Sequence, residues 1–265
     1  MYTRYQLAKK YLHYYLTASN GKGHGVHSPF VFDFINHVLN DKKEYHNYHL
    51  IEQLRKELLH DKRMIEVEDF GAGSLAVPYR QKKVSEITRA FLKPKKFAQL
   101  LFRIVQYYKP QKVVELGTSL GITSVYIANA SNTSHLYTLE GSKNIAAIAQ
   151  RNFDKLQLNN INLLPGKFDD TLPGLLSKIE KVDLAFVDGN HRKEPTLNYF
   201  DQFLRRSTGE SIFIFDDIHW SAEMEEAWKQ IQRHPSVTLT IDLFFIGLVF
   251  FKKDFKAKQH FTIRF

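Results

Sequence analysis

The second half of the sequence alternates between short apolar runs and segments whose apolar residues recur at helical spacing. Five runs rich in β-branched or aromatic residues read as buried strands: 112–117, 134–140, 161–165, 181–188 and 211–217. The segments between them carry the apolar stripe of amphipathic helices. Alternation of strands and helices predicts a parallel sheet with right-handed crossovers and helices on both faces.

This alternation stops near the end of the sequence. Two further strands are predicted over 237–243 and 248–252, and the residues between them are too few for a helix. The two strands must pair as an antiparallel hairpin, because a parallel pair needs a crossover of about a dozen residues. The sequence therefore predicts an α/β fold with a Rossmann-like, doubly wound, mostly parallel seven-stranded sheet that ends in an antiparallel β-hairpin.

The first part of the sequence carries the whole excess of basic residues. Residues 1–110 contain 19 Lys and Arg against 10 Asp and Glu, whereas residues 111–265 contain 18 of each. We predict two domains: a basic, mainly helical N-terminal cap over residues 1–95 that contacts the substrate, and a cofactor-binding domain over residues 96–265. The basic excess is consistent with an anionic partner and also with a solvated surface that contacts nothing.

The composition excludes several classes of protein. The sequence contains no cysteine, so disulfide scaffolds, cysteine–zinc sites and thiol nucleophiles are ruled out. The longest apolar run, Leu243–Phe251, falls well short of the ~20 residues that span a bilayer, and the N-terminus lacks the features of a signal peptide. We expect a soluble, cytoplasmic protein without a membrane span, and a homodimer is compatible with the sequence.

Two glycine-containing segments are candidates for a cofactor loop: 65–74 and 113–121. A nucleoside-binding loop joins a buried strand to a helix, and an acidic residue about 20 positions later binds the ribose hydroxyls. Only the second segment has this context, since Glu140 ends the next strand, 23 residues after Gly117. Asp69–Ser74 in the first segment is interpreted as a turn.

Four segments carry a resemblance to a known family: VVELGTSLGITSVYIA, LYTLEGS, DLAFVDGNH and FIFDDIHW. In this order and spacing they resemble the class I S-adenosylmethionine-dependent methyltransferases, and in particular the O-methyltransferase branch that includes catechol-type and macrolide-sugar enzymes. The resemblance covers about residues 97–253 and implies S-adenosylmethionine as the cofactor. It leaves the basic N-terminal part unexplained.

Residue chemistry supports a cofactor site in these segments. Glycines 117 and 121 allow the backbone to approach the methionine half of the cofactor, and a helix start attracts its carboxylate. Lys167 stands where the family often has an acid for the adenine amino group, so we expect adenine to contact the Phe168 ring or the backbone. The predicted cofactor-binding residues are Glu115, Gly117, Thr118, Ser119, Gly121, Thr123, Ser124, Glu140, Gly141, Ser142, Gly166, Lys167, Phe168 and Asp188.

Three carboxylates follow the fourth and fifth strands: Asp188, Asp216 and Asp217. Ligands of open α/β sheets bind beyond the carboxyl ends of the strands, and the resemblance implies Mg²⁺ at these positions. Oxygen ligands suit a hard divalent ion. The alternative is that Asp216 or Asp217 caps the following helix.

His191 lies three residues after Asp188, where catechol-type enzymes have a lysine base. Histidine titrates near neutral pH, so His191 and Asp188 are the predicted catalytic residues, although His191 is also explained as a polar loop residue. His219 is a second candidate base, and Trp220 a candidate wall of the acceptor pocket.

The histidines and tyrosines near the N-terminus are not assigned to a functional site. His24 and His27 are spaced like a metal pair, but one such pair in a glycine loop is a weak zinc signal. Tyr11, Tyr14 and Tyr15 are interpreted as one packed face of a helix over residues 2–16.

These observations favour a methyltransferase that acts on the hydroxyl of a small molecule such as a sugar, a lipid precursor or a phenol. One alternative is an RNA-modifying methyltransferase whose basic N-terminal part binds phosphates. Another is a cofactor-binding scaffold without catalysis. The fold alone does not distinguish among them.

Overall fold

The computed structural model describes residues 1–68 and 79–265, so the predicted turn at Asp69–Ser74 lies outside the described residues. The helices are α1 (Arg4–Thr17), α2 (Pro29–Phe34) with a π-helical turn (Ile35–Leu39), α3 (Asn47–His60), α4 (Val84–Phe91), α5 (Lys95–Tyr108), α6 (Ile122–Ala130), α7 (Lys143–Lys155), α8 (Phe168–Lys178), α9 (Lys193–Leu204) and α10 (Ala222–Arg233). The strands are β1 (Met64–Glu68), β2 (Tyr79–Lys83), β3 (Lys112–Leu116), β4 (His135–Glu140), β5 (Ile161–Pro165), β6 (Leu184–Val187), β7 (Ile212–Asp216), β8 (Leu239–Asp242), β9 (Ile246–Phe250) and β10 (Gln259–Thr262).

The main sheet has the order β10-β8-β9-β7-β6-β3-β4-β5. Strands β3, β4 and β5 pair in parallel, as do β6 and β7, whereas β9 runs antiparallel to both β7 and β8. The mostly parallel α/β sheet with a C-terminal hairpin is therefore confirmed. The predicted number of seven strands is wrong by one, because β10 adds an edge strand parallel to β8. Its four residues, QHFT, contain no apolar run that would signal a strand.

A second, two-stranded sheet was also missed by sequence analysis. Strands β1 and β2 pair antiparallel from Met64 opposite Lys83 to Glu68 opposite Tyr79. The β2 sequence, YRQKK, is polar and basic, so its hydrophobic pattern gives no sign of a strand. Helix α4 follows directly and buries Val84 and Ile87. The N-terminal region is thus mainly helical, with a small sheet inserted.

The chain forms two compact units, which we call the terminal unit (Met1–Asp41 with Lys178–Phe265) and the central unit (Lys42–Ser177). The boundaries of the two units differ from the predicted division at residue 95. That division assigned substrate contact to the first part and cofactor binding to the second, and this assignment stays a prediction. The interior of the terminal unit is built on β6 to β9, whose residues are all buried. In the part of the chain that is described, no helix combines the length and the apolar character needed to cross a membrane.

Helix α1 packs on the terminal unit through two of its tyrosines. Tyr14 is buried, and the Tyr11 ring lies 5.1 Å from the Phe244 ring. Tyr15 was predicted on the same face but is exposed, with the Arg264 guanidinium 4.4 Å from its ring centroid. The prediction that the tyrosines form one packed face is thus right for Tyr11 and Tyr14 and wrong for Tyr15. Because Tyr15 follows Tyr14 by one residue, its side chain points in a different direction around the helix axis, away from the core.

Candidate active site

A tight loop joins β3 to α6 in the central unit, and three of its residues have left-handed backbone. Gly117, Ser119 and Gly121 have φ angles of 105°, 49° and 85°. Gly117 and Thr118 both donate their N–H groups to Leu139 O, at 3.0 and 3.1 Å. These bonds turn the chain sharply, so that α6 begins at the carboxyl end of β3. A helix start in this position favours an anionic ligand group.

Packing within the protein itself requires glycine at position 121. A Cβ atom there would lie 2.5 Å from Phe153 Cε1 on α7. The neighbouring Asn152 donates its Nδ2 to Leu120 O at 2.8 Å, so α7 supports the loop from behind. Sequence analysis assigned Gly121 to close approach of a cofactor, and the structure supplies a second reason for the same residue.

A buried carboxylate lies beneath the loop. Glu115 is fully buried and accepts hydrogen bonds from Thr138 Oγ1 at 2.6 Å and from Ser124 Oγ. Thr118 Oγ1 lies 2.6 Å from Thr138 Oγ1. The hydroxyls of Thr118 and Ser124, which were predicted to meet the cofactor, therefore point into the protein. Ser119, by contrast, is partly exposed.

Two more threonines, Thr123 and Thr138, are buried in this part of the central unit. Thr123, another predicted hydroxyl donor, is itself buried at the start of α6. Thr138 was missed by sequence analysis, although it lies opposite Glu115 in the register of β3 and β4. Aligning the two predicted strands would have revealed it, because residues opposite one another share a face of the sheet.

Glu140 ends β4 beside the loop. Its carboxyl oxygens accept hydrogen bonds from the N–H groups of Ser119 at 2.8 Å and Ser142 at 3.0 Å. The side chain is partly exposed, yet burial around the carboxyl raises its pKa to about 7 against the opposing effect of these donors. Ser142 Oγ is buried and has no hydrogen-bond partner within the described residues. A carboxylate and an unsatisfied hydroxyl together suit a ligand with hydroxyl groups.

The segment after β5 is connected to Glu140 through the backbone. Gly166 donates its N–H to Glu140 O at 2.8 Å and has a φ angle of 138°, which favours glycine. Lys167 is exposed, and the partly exposed Phe168 begins α8. The structure therefore places the predicted adenine segment next to the predicted ribose carboxylate.

In the terminal unit, the ends of β6 and β7 place ionisable side chains close together. One potential ligand atom from each of Asp188, His191 and Asp216 lies within 4.8 Å of the other two. We call these residues the acid–histidine triad. It is the one group of three or more such side chains found in residues 1–68 and 79–265. Asp216 is 5% exposed, so its carboxylate is largely shielded from water.

Asp217 lies at the margin of the acid–histidine triad. Its Oδ2 is 4.0 Å from His191 Nε2, compared with 3.7 Å for Asp188 Oδ1. Its backbone is left-handed, with φ of 54°, and its carbonyl accepts the N–H of Trp220 at 2.9 Å. The metal site was predicted from Asp188, Asp216 and Asp217; in the structure His191, rather than Asp217, completes the closest group.

His219 forms hydrogen bonds through both ring nitrogens. Its Nε2 lies 2.8 Å from Asp242 Oδ2 and its Nδ1 lies 3.2 Å from Glu225 Oε1. Burial lowers its pKa, but the two carboxylates outweigh that effect and the pKa is raised. These contacts engage both ring nitrogens of His219 and link α10 to β8. His24 and His27 are exposed and lie outside the acid–histidine triad.

The sheet order and the loop after β3 define the class I methyltransferase fold. The crystal structure of the O-methyltransferase from Bacillus cereus, in complex with SAH, aligns with a TM-score of 0.56 at 20% identity. The alignment covers 80% of this chain and 93% of that one. At this level of identity the likeness concerns the fold alone.

Sequence comparisons find that part of the chain is similar to methyltransferases, including O-methyltransferases, in agreement with the resemblance described above. Residues 114–218 match the family model described as a methyltransferase domain. Catechol O-methyltransferase of Mus musculus is 30% identical over 94 residues, which make up 34% of this chain and 36% of the mouse protein. O-methyltransferase imqG of Aspergillus flavus is 28% identical over 111 residues, or 40% and 44% of the two chains. The matched part spans less than half the length of either relative.

Proposed function

We propose that this protein transfers a methyl group from S-adenosylmethionine to a hydroxyl of a small molecule. The observation that carries the proposal is the pairing of the Gly117–Gly121 loop with Glu140, whose carboxyl lies against the loop through Ser119 N–H. Glu140 accepts the ribose hydroxyls, Ser142 Oγ gains a partner, and the start of α6 receives the methionine carboxylate. Residues 166–168 contact the adenine.

The acid–histidine triad holds the acceptor in this proposal. Methyl transfer from a sulfonium is an in-line displacement, so the protein has to position the acceptor oxygen and remove its proton. In this proposal His191 receives that proton, and the carboxylates of Asp188 and Asp217, 3.7 and 4.0 Å from its Nε2, stabilise the imidazolium. These residues and the loop follow the carboxyl ends of their strands, where ligands bind in open α/β sheets.

The acid–histidine triad also fits a divalent metal ion. Carboxylate oxygens of Asp188 and Asp216 lie within 4.8 Å of each other, close enough for both to coordinate one ion. When bound, such an ion lowers the pKa of a coordinated hydroxyl. An ion held by the carboxylates of Asp188 and Asp216 would leave the His191 imidazole to receive the proton, and these oxygen donors suit Mg²⁺ or Mn²⁺.

The proposed function is tested by methyl transfer to a cell extract. Purified protein and S-adenosylmethionine with a labelled methyl group are incubated with extract separated into small molecules and RNA, and the labelled products are identified by mass spectrometry. We expect label in a small molecule as a methyl ether. Label confined to RNA would show that the acceptor is RNA and not a small molecule. Binding of S-adenosylmethionine without incorporation of label into either fraction would favour a scaffold without catalysis.

Removal of metal is expected to lower the rate of methyl transfer at least a hundredfold. The reason is that two carboxylates placed this close repel each other without a cation, and the acceptor oxygen loses its activation. The measurement is the initial rate after exhaustive chelation, followed by addition of Mg²⁺ or Mn²⁺. Full activity in chelator, together with loss of activity in His191→Ala, would instead establish base catalysis by the histidine alone.

The affinity for S-adenosylmethionine is expected to increase about tenfold between pH 6 and pH 8. The pKa of Glu140 is about 7, so the carboxylate that accepts ribose hydroxyls is mostly protonated at pH 6 and mostly ionised at pH 8. Isothermal titration calorimetry at pH 6, 7 and 8 measures this. Glu140→Gln should bind about 10- to 100-fold more weakly at pH 8, without this pH dependence. A Glu140→Gln variant with the wild-type pH profile would contradict the ribose assignment.

We further propose that residues 1–95 supply acceptor specificity. Part of this region is structurally integral to the central unit: Tyr126 on α6 donates its hydroxyl to Glu52 Oε1 on α3 at 2.7 Å. Deleting residues 1–95 would expose such buried contacts, so the proposal is better tested by surface substitutions in this region. Altered acceptor preference at unchanged cofactor affinity would support it.

A further inference from the structure

Helix α1 has a second apolar face, opposite the one that packs on Phe244. Tyr5, Leu12 and Leu16 are 79%, 57% and 69% exposed. Their spacing of seven and four residues places them on one face of the helix, with the exposed Ala8 beside them. We call Tyr5, Ala8, Leu12 and Leu16 the outer ridge. Nothing in the described part of the chain covers it.

Basic side chains border the outer ridge, and acidic ones are absent from the helix. Arg4, Lys9 and His13 are exposed and form no ion pair within 4 Å with an acid among the described residues. Lys10 lies toward the other face, where it pairs with Glu225 at 2.9 Å. The sequence contains no Asp or Glu before Asp33. The occupant of this surface must therefore be apolar in part and negatively charged.

A second copy of the chain does not meet this requirement. Pairing two α1 helices through their outer ridges would bring the basic side chains that border the ridge of one copy near those of the other. No acid on the helix is available to neutralise them, and like charges placed this way destabilise an interface. The ridge is also convex and narrow, unlike the groove that would receive a helix from another protein.

We propose that α1 docks the protein on an anionic lipid bilayer, with the outer ridge among the acyl chains and the basic side chains at the head groups. A helix whose exposed face carries apolar side chains beside basic ones can lie in the plane of the interface, and tyrosine is well suited to that depth. The exposed Tyr15 with the Arg264 guanidinium adds an aromatic ring and a cation to the same helix. Lys22 is exposed in the loop that follows α1 and adds a further positive charge. This docking does not depend on the methyl-transfer proposal.

The test is co-sedimentation of the full-length protein with large unilamellar vesicles. Vesicles of phosphatidylcholine with 30 mol % phosphatidylserine are compared with vesicles of phosphatidylcholine alone. We expect at least tenfold tighter binding to the anionic vesicles, weakening as salt is raised. Leu12→Ser with Leu16→Ser should weaken this binding more than tenfold, and Lys9→Glu by about tenfold or more.

Matched controls come from α3, where Leu50 is also half-exposed and Lys56 is exposed. Leu50→Ser and Lys56→Glu change hydrophobicity and charge in the same way and should bind anionic vesicles like the wild-type protein. Wild-type protein that does not sediment with anionic vesicles would overturn the proposal, as would a ridge double variant that sediments like wild type. A concentration-dependent dimer that is lost in the double variant, without vesicle binding, would also overturn it and establish self-association.

Discussion

Gly121→Ala is expected to lower the free energy of unfolding by about 2–4 kcal/mol, because the substitution combines backbone strain with overpacking. The φ angle of 85° is unfavourable for any residue with a side chain. In addition, the new methyl group would lie 2.5 Å from Phe153 Cε1, closer than carbon atoms approach without displacement. Urea unfolding followed by circular dichroism measures the change.

Two other glycines separate these contributions. Gly25 has a similar φ of 79°, but an added methyl group would meet no described atom within 4 Å, so Gly25→Ala should show strain alone, about 1–2 kcal/mol. Gly174 lies in α8 with open space around it, so Gly174→Ala should stabilise the protein by about 0.5–1 kcal/mol. If Gly121→Ala costs no more than Gly25→Ala, the contact with Phe153 is not what requires glycine.

His191→Ala should reduce kcat by about 10²- to 10⁴-fold, the range that a positioned proton acceptor contributes. The affinity for S-adenosylmethionine should stay within about twofold, because the residues that hold the cofactor in our proposal other than Asp188 belong to the loop, Glu140 and residues 166–168. Steady-state kinetics with the identified acceptor, beside calorimetry, provides both values. His135→Ala, at an exposed histidine on β4, is the control and should retain activity.

The neighbouring aspartates should differ in their effect. Asp188→Asn removes a charge from the acid–histidine triad, whereas Asp217 lies at its margin, so Asp217→Asn should be tolerated better. Equal losses in the two variants would instead favour the trio of Asp188, Asp216 and Asp217 that the sequence predicts.

For the histidine variant, a cofactor affinity that falls in His191→Ala as much as kcat does would argue that the histidine binds the cofactor rather than taking part in the reaction.

Apart from β5, which lies at an edge, the strands that the hydrophobic pattern predicted are those in the interior of the main sheet. Strands β6 and β7, LAFV and IFIFD, are buried along their whole length, and such runs are hard to place in any other structure. By contrast, β2 and β10 consist largely of polar or exposed residues. Their identity as strands comes from backbone pairing with a neighbour, which sequence composition does not encode.

The positions of the candidate site residues could be predicted where they follow from spacing along the chain. The directions of their side chains were harder to predict. Glu140 follows from its distance to Gly117 along the chain, a consequence of strand–helix–strand geometry. The inward orientation of Thr118 depends on the left-handed turn around it, which residue types alone do not specify. Asp217 lies one residue beyond the end of β7 and has a left-handed backbone, with φ of 54°, so its side chain does not continue the pattern of the strand and lies at the margin of the cluster.

The packing of α1 has a consequence for how the chain is made. Tyr14 on α1 donates its hydroxyl to Ile263 O, 249 residues further along, and the N–H of Arg264 bonds to Ser19 O at 3.0 Å. During synthesis α1 leaves the ribosome early, whereas these partners emerge only after the rest of the sheet has been translated. Until then the residues that pack against Tyr11 and Tyr14 have not been synthesised, so both faces of α1 are exposed to solvent. Contacts of such long sequence separation also slow the final folding step. A chaperone or a bilayer that receives α1 during this interval would act on the nascent chain before any catalysis begins.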